Sequence, residues 1–305
     1  MGPYHEGELE VQRRAGVAAT AERVGRIVRS EIPEVAREFL GEQRFAVLAA
    51  ADGEERVWAT LVHGERGFLA ASEHVLRIAA RPGPEDPLAG SLAGETDVGV
   101  LVIDLATRRR MRINGRARPR GEGGLWGADG LEIAPREVYA NCPKYIQQRS
   151  MEPERGAPGA SAAKVERGFA LTAAHGRLIA GADTLFIGSR HPEAGADASH
   201  RGGNPGFVRV DAWDRLTFPD YSGNAMFNTL GNLAADPRAG LLFVDFDQGS
   251  TLQLTGRASI DWSREAAGGF RGAERVVGFS VERVVETIGV LPLRGRLVSR
   301  SPHNP

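Results

Sequence analysis

The segment DASHRGG, in the second half of the chain, carries two residue types that bind phosphate. Ser199 and Arg201 lie on a β-prone run that ends in two flexible glycines, so we expect both residues on a strand. A hydroxyl and an always-charged guanidinium donate hydrogen bonds that suit phosphate oxygens. A lone strand arginine is more often a solvated charge, so the pair needs a second phosphate-binding feature beside it.

That second feature is the segment FPDYSGNAMFNTLGNLAADP. Its pattern predicts a strand that ends at Phe218 and a turn at Pro219–Asp220. A helix is then expected to open at Gly223–Asn224 and to stop at Asp236–Pro237. The free amides at the start of such a helix suit phosphate, although an asparagine there is usually only a cap. Because both features occur in the second half and neither in the first, we predict a phosphate site in the second half.

The segment ANCPKYIQQR, in the first half, is another candidate for chemistry. Pro143 fits the first position of a helix, which would make Cys142 the N-cap residue and bring its sulfur near free amides. That setting favours a thiolate, and Lys144 and Tyr145 would present donors to an anionic or aromatic ligand. We therefore predict Cys142, Lys144 and Tyr145 as catalytic candidates and Asn141 as a cofactor contact. In the simpler alternative, Cys142 is a small buried apolar residue and Tyr145 packs against the core.

Composition and charge narrow the class of protein. The chain of 305 residues is 42% hydrophobic and 25% charged, which is ordinary for a globular protein and enough for two domains. A formal net charge of −1 argues against nucleic acid as a partner, and the arginine-rich run 108–112 is interpreted as a solvated hairpin end. One cysteine, no apolar run of membrane-spanning length and no signal-peptide core predict a cytoplasmic protein. The seven histidines lack the spacing of a zinc site, so no metal is expected.

The order of the predicted elements places these segments in two β-rich halves. Helical periodicity covers 8–42, and short β-prone runs separated by turn residues follow from Phe45. A helical stretch is predicted near 136–150, followed by the low-complexity segment ERGAPGASAA and a second series of β-prone runs. We therefore divide the chain into an N-terminal helical segment (1–43), a first β-barrel (44–150), a linker region (151–180) and a second β-barrel (181–305).

The two halves resemble each other in sequence. VGVLVID-(x6)-MRINGRA faces AGLLFVD-(x6)-LQLTGRA at an offset of 141 residues, and ATLVHGERGF faces ASHRGGNPGF at an offset of 139. Offsets so similar indicate duplication of one β-domain and predict a pseudo-dimer of two barrels. Trp58 stands in the first copy where the second has Asp197, which fits a first site that has degenerated.

The chain resembles the FMN-binding split-barrel superfamily that includes pyridoxamine 5'-phosphate oxidase. The resemblance lies in three segments that occur in this order: DASHRGGNPGF, LTFPDYSGNAMFNTLGNLAADPRAGLLFVDF and LQLTGRA. ANCPKYIQQR and IGVLPLRGRLVSRSPHNP resemble its bacterial tandem-barrel branch, in which a flavin/NAD reductase and a 2Fe–2S domain often follow. The resemblance covers 4–305 and implies a mainly β fold of two tandem split barrels, with flanking helices and FMN as cofactor. The FMN contacts that it implies are Ser199, His200, Arg201, Gly202, Gly203, Asp220, Gly223, Asn224, Phe227, Asn228 and Asn141.

The resemblance implies an FMN-dependent oxidoreductase that transfers electrons or hydride to a small organic substrate. Vitamin B6 oxidation is not expected, because the run 225–229 replaces the Arg-Lys pair of pyridoxamine 5'-phosphate oxidase. The alternative is a non-catalytic module that binds flavin or haem, since one fold carries many functions. No GxGxxG fingerprint follows a strand, so a separate NAD(P)H-dependent reductase is a candidate partner and a homodimer a candidate assembly.

Overall fold

The computed structural model describes residues 2–120, 130–153 and 164–305. Three short helices come first, α1 (Glu6–Arg14), α2 (Ala18–Gly25) and α3 (Glu34–Gly41), within the region where helical periodicity predicts them. The helices are separate because Gly16 adopts a φ of 71° after α1 and Pro33 precedes α3 in extended backbone.

The first antiparallel sheet has seven strands, in the spatial order β2-β1-β5-β6-β7-β4-β3. The strands are β1 (Phe45–Ala51), β2 (Val57–His63), β3 (Leu69–Ala71), β4 (Leu76–Ile78), β5 (Thr96–Asp104), β6 (Arg109–Pro119) and β7 (Leu131–Ala140). Its inward side chains and the apolar side of α3 form the first core, which includes Leu40, Leu48 and Ile113. Strand β8 (Gln148–Pro153) leaves this sheet and pairs with the last strand, β17 (Leu293–Ser299).

The second sheet repeats the order of the first, β11-β10-β14-β15-β16-β13-β12, and β9 (Lys164–Gly168) pairs with β16 in addition. Its strands are β10 (Thr184–His191), β11 (Gly195–Gly202), β12 (Arg209–Ala212), β13 (Arg215–Tyr221), β14 (Arg238–Asp245), β15 (Ser250–Asp261) and β16 (Ala273–Ile288). The helices of this half are α4 (Ala173–Gly181), α5 (Asn228–Ala235) and α6 (Arg264–Gly268). The predicted fold class, mainly β with two tandem barrel-like sheets and flanking helices, is confirmed.

The two sheets also share an irregularity. The pairing of β6 with β7 shifts between Asn114 and Gly115, and that of β15 with β16 shifts between Thr255 and Gly256. These bulges lie at the start of the two Gly-Arg-Ala triplets, so the triplets occupy equivalent strand positions.

The sheets pack face to face through a third apolar core, which includes Val47 and Leu101 from the first half and Phe186 and Leu242 from the second. Glycines allow the backbones to approach. A Cβ on Gly99 would lie 2.5 Å from the backbone nitrogen of Ala198. A Cβ on Gly240 would lie 2.5 Å from the Cα of Trp58. The two contacts are equivalent across the repeat, so each half meets the other through the same strands.

The helical stretch predicted near 136–150 is wrong. Strand β7 continues to Ala140 because its backbone pairs with β6 as far as Met111. Only a turn at Lys144–Tyr145 then precedes β8. Pro143 therefore begins no helix, and Cys142 is not an N-cap residue. The predicted linker ERGAPGASAA, residues 154–163, lies outside the described residues, and the domain boundaries stay a prediction.

Within the described ranges, none of the helices has the length and apolar character that crossing a bilayer requires.

Candidate functional site

A cavity of about 90 Å³ opens where the two sheets meet. The first half supplies β6 and the segment after β7, and the second supplies β11, the end of β13 and the loop before α5. The predicted residues that line it are Asn141, Cys142, Lys144, Tyr145, Ser199, His200, Arg201, Gly202, Asp220, Gly223, Asn224, Phe227 and Asn228. Gly203 lies outside this lining, where its N–H donates to the carbonyl oxygen of Asp183.

Ser199 and Arg201 lie on strand β11, as the sequence predicts, and both line the cavity. Arg201 forms an ion pair with the buried carboxylate of Asp220 on β13. The same carboxylate lies 3.2 Å from the guanidinium of Arg275 on β16. The Nε atoms of both arginines are buried without a hydrogen-bond partner, so one carboxylate leaves part of their donor capacity unused.

The predicted helix start at Gly223–Asn224 is wrong. Strand β13 runs through Pro219 and Asp220 to Tyr221, because Pro219 pairs in register with Val276 on β16. Helix α5 begins only at Asn228, after Ala225 and Phe227 adopt left-handed backbone with φ of 64° and 62°. The Asn224 side chain accepts the N–H of Met226 at 3.1 Å, which is a turn contact rather than a helix cap. The predicted stop at Asp236 agrees with the end of α5.

Arg110 and Arg112, which were not predicted as site residues, line the cavity from the first half. Their interpretation as part of a solvated hairpin end is wrong. On β6 they alternate with Met111 and Ile113, which face the first core, so the two arginines face the second half. Arg112 Nη2 donates to Ser199 Oγ at 2.5 Å, and Arg110 Nη1 lies 2.9 Å from His200 Nδ1. The period-two pattern in RRMRINGRA was the signal that could have placed them.

Cations outnumber carboxylates around this cavity. Arg112 is paired with Asp197, and Asp220 lies between Arg201 and Arg275. Within the described chain, no carboxylate pairs with Arg110. Burial, with the neighbouring Arg112 and Arg201, lowers the pKa of Arg110 to about 9. An anion placed here would relieve this repulsion.

His200 is neutral at this site. Burial, and then the positive charges of Arg110 and Arg201, hold its pKa well below the usual value. Because an arginine can only donate, His200 Nδ1 accepts from Arg110 and the proton lies on Nε2. His200 therefore positions the Arg110 guanidinium without adding a charge.

The segment 141–147 crosses from the first half to the second. Tyr145 Oη donates to the carbonyl oxygen of Ser222 at 3.0 Å, and its ring lies 5.1 Å from that of Tyr221. Tyr145 has a φ of 65°, and its carbonyl approaches Gly202 so closely that a Cβ there would clash. Within the described chain no acidic partner contacts Lys144. Arg149 lies just after this segment, on β8. It pairs with Asp183 at 2.8 Å and does not line the cavity.

Helix α1 supports the cavity from behind, which the sequence did not reveal. Glu8 Oε1 accepts the side-chain amide of Asn228 at 2.6 Å, and Gln12 Nε2 donates to the carbonyl oxygen of Met226 at 2.9 Å. Gly7 and Gly231 let α1 and α5 touch. Burial raises the pKa of Glu8 to about 8, so the carboxyl group is mostly protonated at neutral pH.

The donors at this cavity fit the phosphate of a flavin mononucleotide. Arg110, Arg112 and Arg201 each keep a buried Nε without a partner. Guanidinium groups, a serine hydroxyl and an asparagine form the kind of set that binds phosphate oxygens.

One family model and several solved structures match the chain. Among solved structures, the chain is similar to HupZ of Group A Streptococcus, with 15% identity over 37% of this chain and 91% of that chain and a TM-score of 0.31. It is also similar to an FMN-binding protein from Syntrophomonas wolfei, with 9% identity, 36% and 80% coverage and a TM-score of 0.28. A protein of the pyridoxinephosphate oxidase family from Clostridium acetobutylicum matches at 12% identity, 40% and 90% coverage and a TM-score of 0.28.

No curated protein matches the chain. The family model described as pyridoxamine 5'-phosphate oxidase matches residues 171–285, which include strand β11, the loop before α5 and most of β16. On that match, residues 171–285 of the chain are similar to the pyridoxamine 5'-phosphate oxidase family.

Proposed function

We propose that the protein is an FMN-binding oxidoreductase that holds the FMN phosphate in the cavity between its two halves. The observation that carries this proposal is the convergence of Arg110 and Arg201, from different halves, on one cavity, where no carboxylate of the described residues pairs with Arg110. A phosphate would supply the missing negative charge and the missing acceptors.

The residues of this chain would divide the work of binding. Arg201, Ser199 and Arg110 would donate to the phosphate, with Asn224 and the amides of the loop 222–227 at its other side. The backbone of 200–203 would lie along the flavin ring. FMN, when bound, supplies two-electron redox chemistry. Neutral His200 would keep Arg110 aimed at the phosphate.

Lys144 and Tyr145 would act near the reacting part of the flavin. Both line the cavity from the first half, and Tyr145 remains a hydroxyl donor because burial raises its pKa. An ammonium group beside a flavin would favour negative charge on the reduced ring. Cys142 lines the same cavity and is half-buried, which leaves it a candidate contact for a small organic substrate.

The origin of the two halves and the source of electrons are inferred from the sequence. The matching strand orders and bulges support duplication of one domain as the origin of the two halves. A separate NAD(P)H-dependent reductase would deliver electrons.

The test is FMN binding to wild type and to Arg201→Ala, with Arg215→Ala as the control. Arg215 is an exposed arginine on β13 and is absent from the cavity lining. Losing one charge-assisted contact should cost about 1.5–3 kcal/mol, or roughly ten- to a hundredfold in affinity by calorimetry. The Arg215 variant should bind as wild type does. Equal FMN affinity in all three proteins would contradict the site, and bound FMN that no reductant reduces would contradict the redox function.

A further inference from the structure

The internal repeat predicts a second cavity, related to the first by exchange of the two halves. At the described cavity, strand β6 of the first half faces strand β11 of the second. At the related position, β15 of the second half faces β2 of the first, with contacts between β15 and β2. The repeat offsets pair Arg112 with Gln253 and Ser199 with Thr60. The neighbourhood of Gln253 and Thr60 is therefore the counterpart site.

A side chain of the protein itself fills this counterpart site. Asp86 accepts a hydrogen bond from the hydroxyl of Thr60 and another from Gln253 Nε2 at 3.2 Å. Gln253 also donates to the carbonyl oxygen of Ala59 at 3.0 Å. In the described cavity, Arg112 bonds directly to Ser199; in the counterpart site, a carboxylate joins the two equivalent residues.

Asp86 comes from the connection that corresponds to the cavity rim. In the second half, the chain between β13 and β14 forms the loop 222–227 and α5, which line the cavity. In the first half, the chain between β4 and β5 instead carries Asp86. Its position is fixed by the amide of Leu88, which donates to Asp86 Oδ1 at 2.8 Å, and by the burial of Leu88 in the first core.

The counterpart site also lacks the cations of the described cavity. The repeat places Thr251 where the cavity has Arg110, and Val62 where it has Arg201. Among the described residues, the hydrogen-bond donors to the Asp86 carboxyl group are neutral, and burial raises the pKa of Asp86. A phosphate dianion would meet a carboxylate there and no guanidinium from these positions.

We infer that the Asp86 carboxyl group permanently occupies the counterpart site, so that each chain binds a single FMN, at the cavity of Arg110 and Arg201. The stoichiometry rests on the proposed function, whereas the closure of the counterpart site by Asp86 does not. Two measurements therefore separate the claims.

The first measurement counts FMN per chain by calorimetry and by absorbance after gel filtration. Wild type should bind one equivalent, which Arg201→Ala should weaken at least tenfold and Asp86→Asn should leave unchanged. Two equivalents of FMN per chain, or one equivalent that survives in Arg201→Ala and is lost in Asp86→Asn, would overturn the inference.

The second measurement needs no ligand. Hydrogen exchange of the FMN-free protein should show the Leu88 amide protected at least tenfold over the unfolded chain. Asp86→Ala should lose that protection, whereas Glu85→Ala, a change at the exposed neighbour, should keep it. Unprotected Leu88 in wild type would overturn the closure. Protected Leu88 together with no FMN binding would support the closure and reject the proposed function.

Discussion

Arg112 in the first half and Asp197 in the second form an ion pair at 3.0 Å, with side chains only 9% and 4% exposed. Asn114 donates a further hydrogen bond to Asp197 at 3.1 Å. Burial alone would lower the pKa of Arg112. The attraction of the Asp197 carboxylate is stronger than this effect, so the pKa of Arg112 is raised. The pair therefore joins the two sheets beside the cavity and directs the other Nη atom of Arg112 towards Ser199.

Removing one member of this pair should destabilise the protein. Arg112→Ala leaves Asp197 buried without its counter-ion, and we expect a loss of about 3–5 kcal/mol in the free energy of unfolding. Arg116→Ala is the control, because Arg116 is 45% exposed beside Glu95 and such surface pairs contribute about 1 kcal/mol or less. Urea unfolding of both variants gives the comparison. Similar losses for the two would show that the buried pair has no special part in joining the halves.

The two sheets touch through their backbones at two glycines. Adding even a methyl group at either glycine should therefore destabilise the protein. Gly99→Ala and Gly240→Ala each place a methyl group 2.5 Å from backbone atoms of the other half, and overpacking of this kind costs typically 1–3 kcal/mol. Gly41→Ala is the matched control, since nothing lies within 4 Å of a Cβ there. It should be neutral or slightly stabilising. Thermal unfolding that ranks Gly41→Ala with the other two would refute the tight packing.

Glu8 predicts a specific dependence of stability on pH. Its folded-state pKa of about 8 lies above the ordinary 4.5 because of burial, with Glu137 and Asp197 adding repulsion and hydrogen bonds from His5 and Asn228 opposing it. The stability that protonated Glu8 contributes is complete below pH 4.5 and is lost as the pH rises to about 8. Glu8→Gln cannot ionise, so its stability relative to wild type should increase through this window, on the order of 1 kcal/mol per pH unit.

Melting temperatures of both proteins between pH 5 and pH 9 measure this difference directly, because other titrating groups are common to both. A constant difference across the range would mean that Glu8 titrates near its ordinary pKa in the folded protein.

Lys144 and Tyr145 should affect flavin chemistry more than flavin retention. Lys144→Ala removes a cavity cation that has no acidic partner in the described chain, and Tyr145→Phe removes the hydrogen bond to Ser222. We expect both variants to keep wild-type FMN stoichiometry but to change the rate of flavin reduction or the reduction potential. Stopped-flow reduction with dithionite and with NADPH makes the comparison. Wild-type rates in both variants would leave the two residues only a packing role.

Much of the fold could be predicted because short sequence patterns within each half indicate its strands. Alternating apolar residues place β5, β6, β14 and β15, and each Gly-Arg-Ala triplet coincides with a bulge. Ser199 and Arg201 were predicted from their chemistry, since a hydroxyl and a guanidinium on one strand suit phosphate oxygens.

The errors arose where tertiary contacts override local preference. Pro219 normally ends a strand, yet β16 supplies pairing on both sides of it, so β13 continues to Tyr221. Pro143 can start a helix, but the close approach of Tyr145 to Gly202 holds that segment in a turn. Arg110 and Arg112 were misplaced because their burial depends on the other half of the chain, and α1 contacts α5 across more than 200 residues of sequence.

The exchange of contacts between the two halves has an evolutionary consequence. In a symmetric homodimer, one codon specifies a residue at both ends of the two-fold axis, so an arginine gained at one binding site appears at the other as well. Here Arg110 and Thr251 are encoded separately, as are Arg201 and Val62. Separate encoding thus allows one interface to carry positive charge that the other lacks, and selection can act on a single site without altering its counterpart.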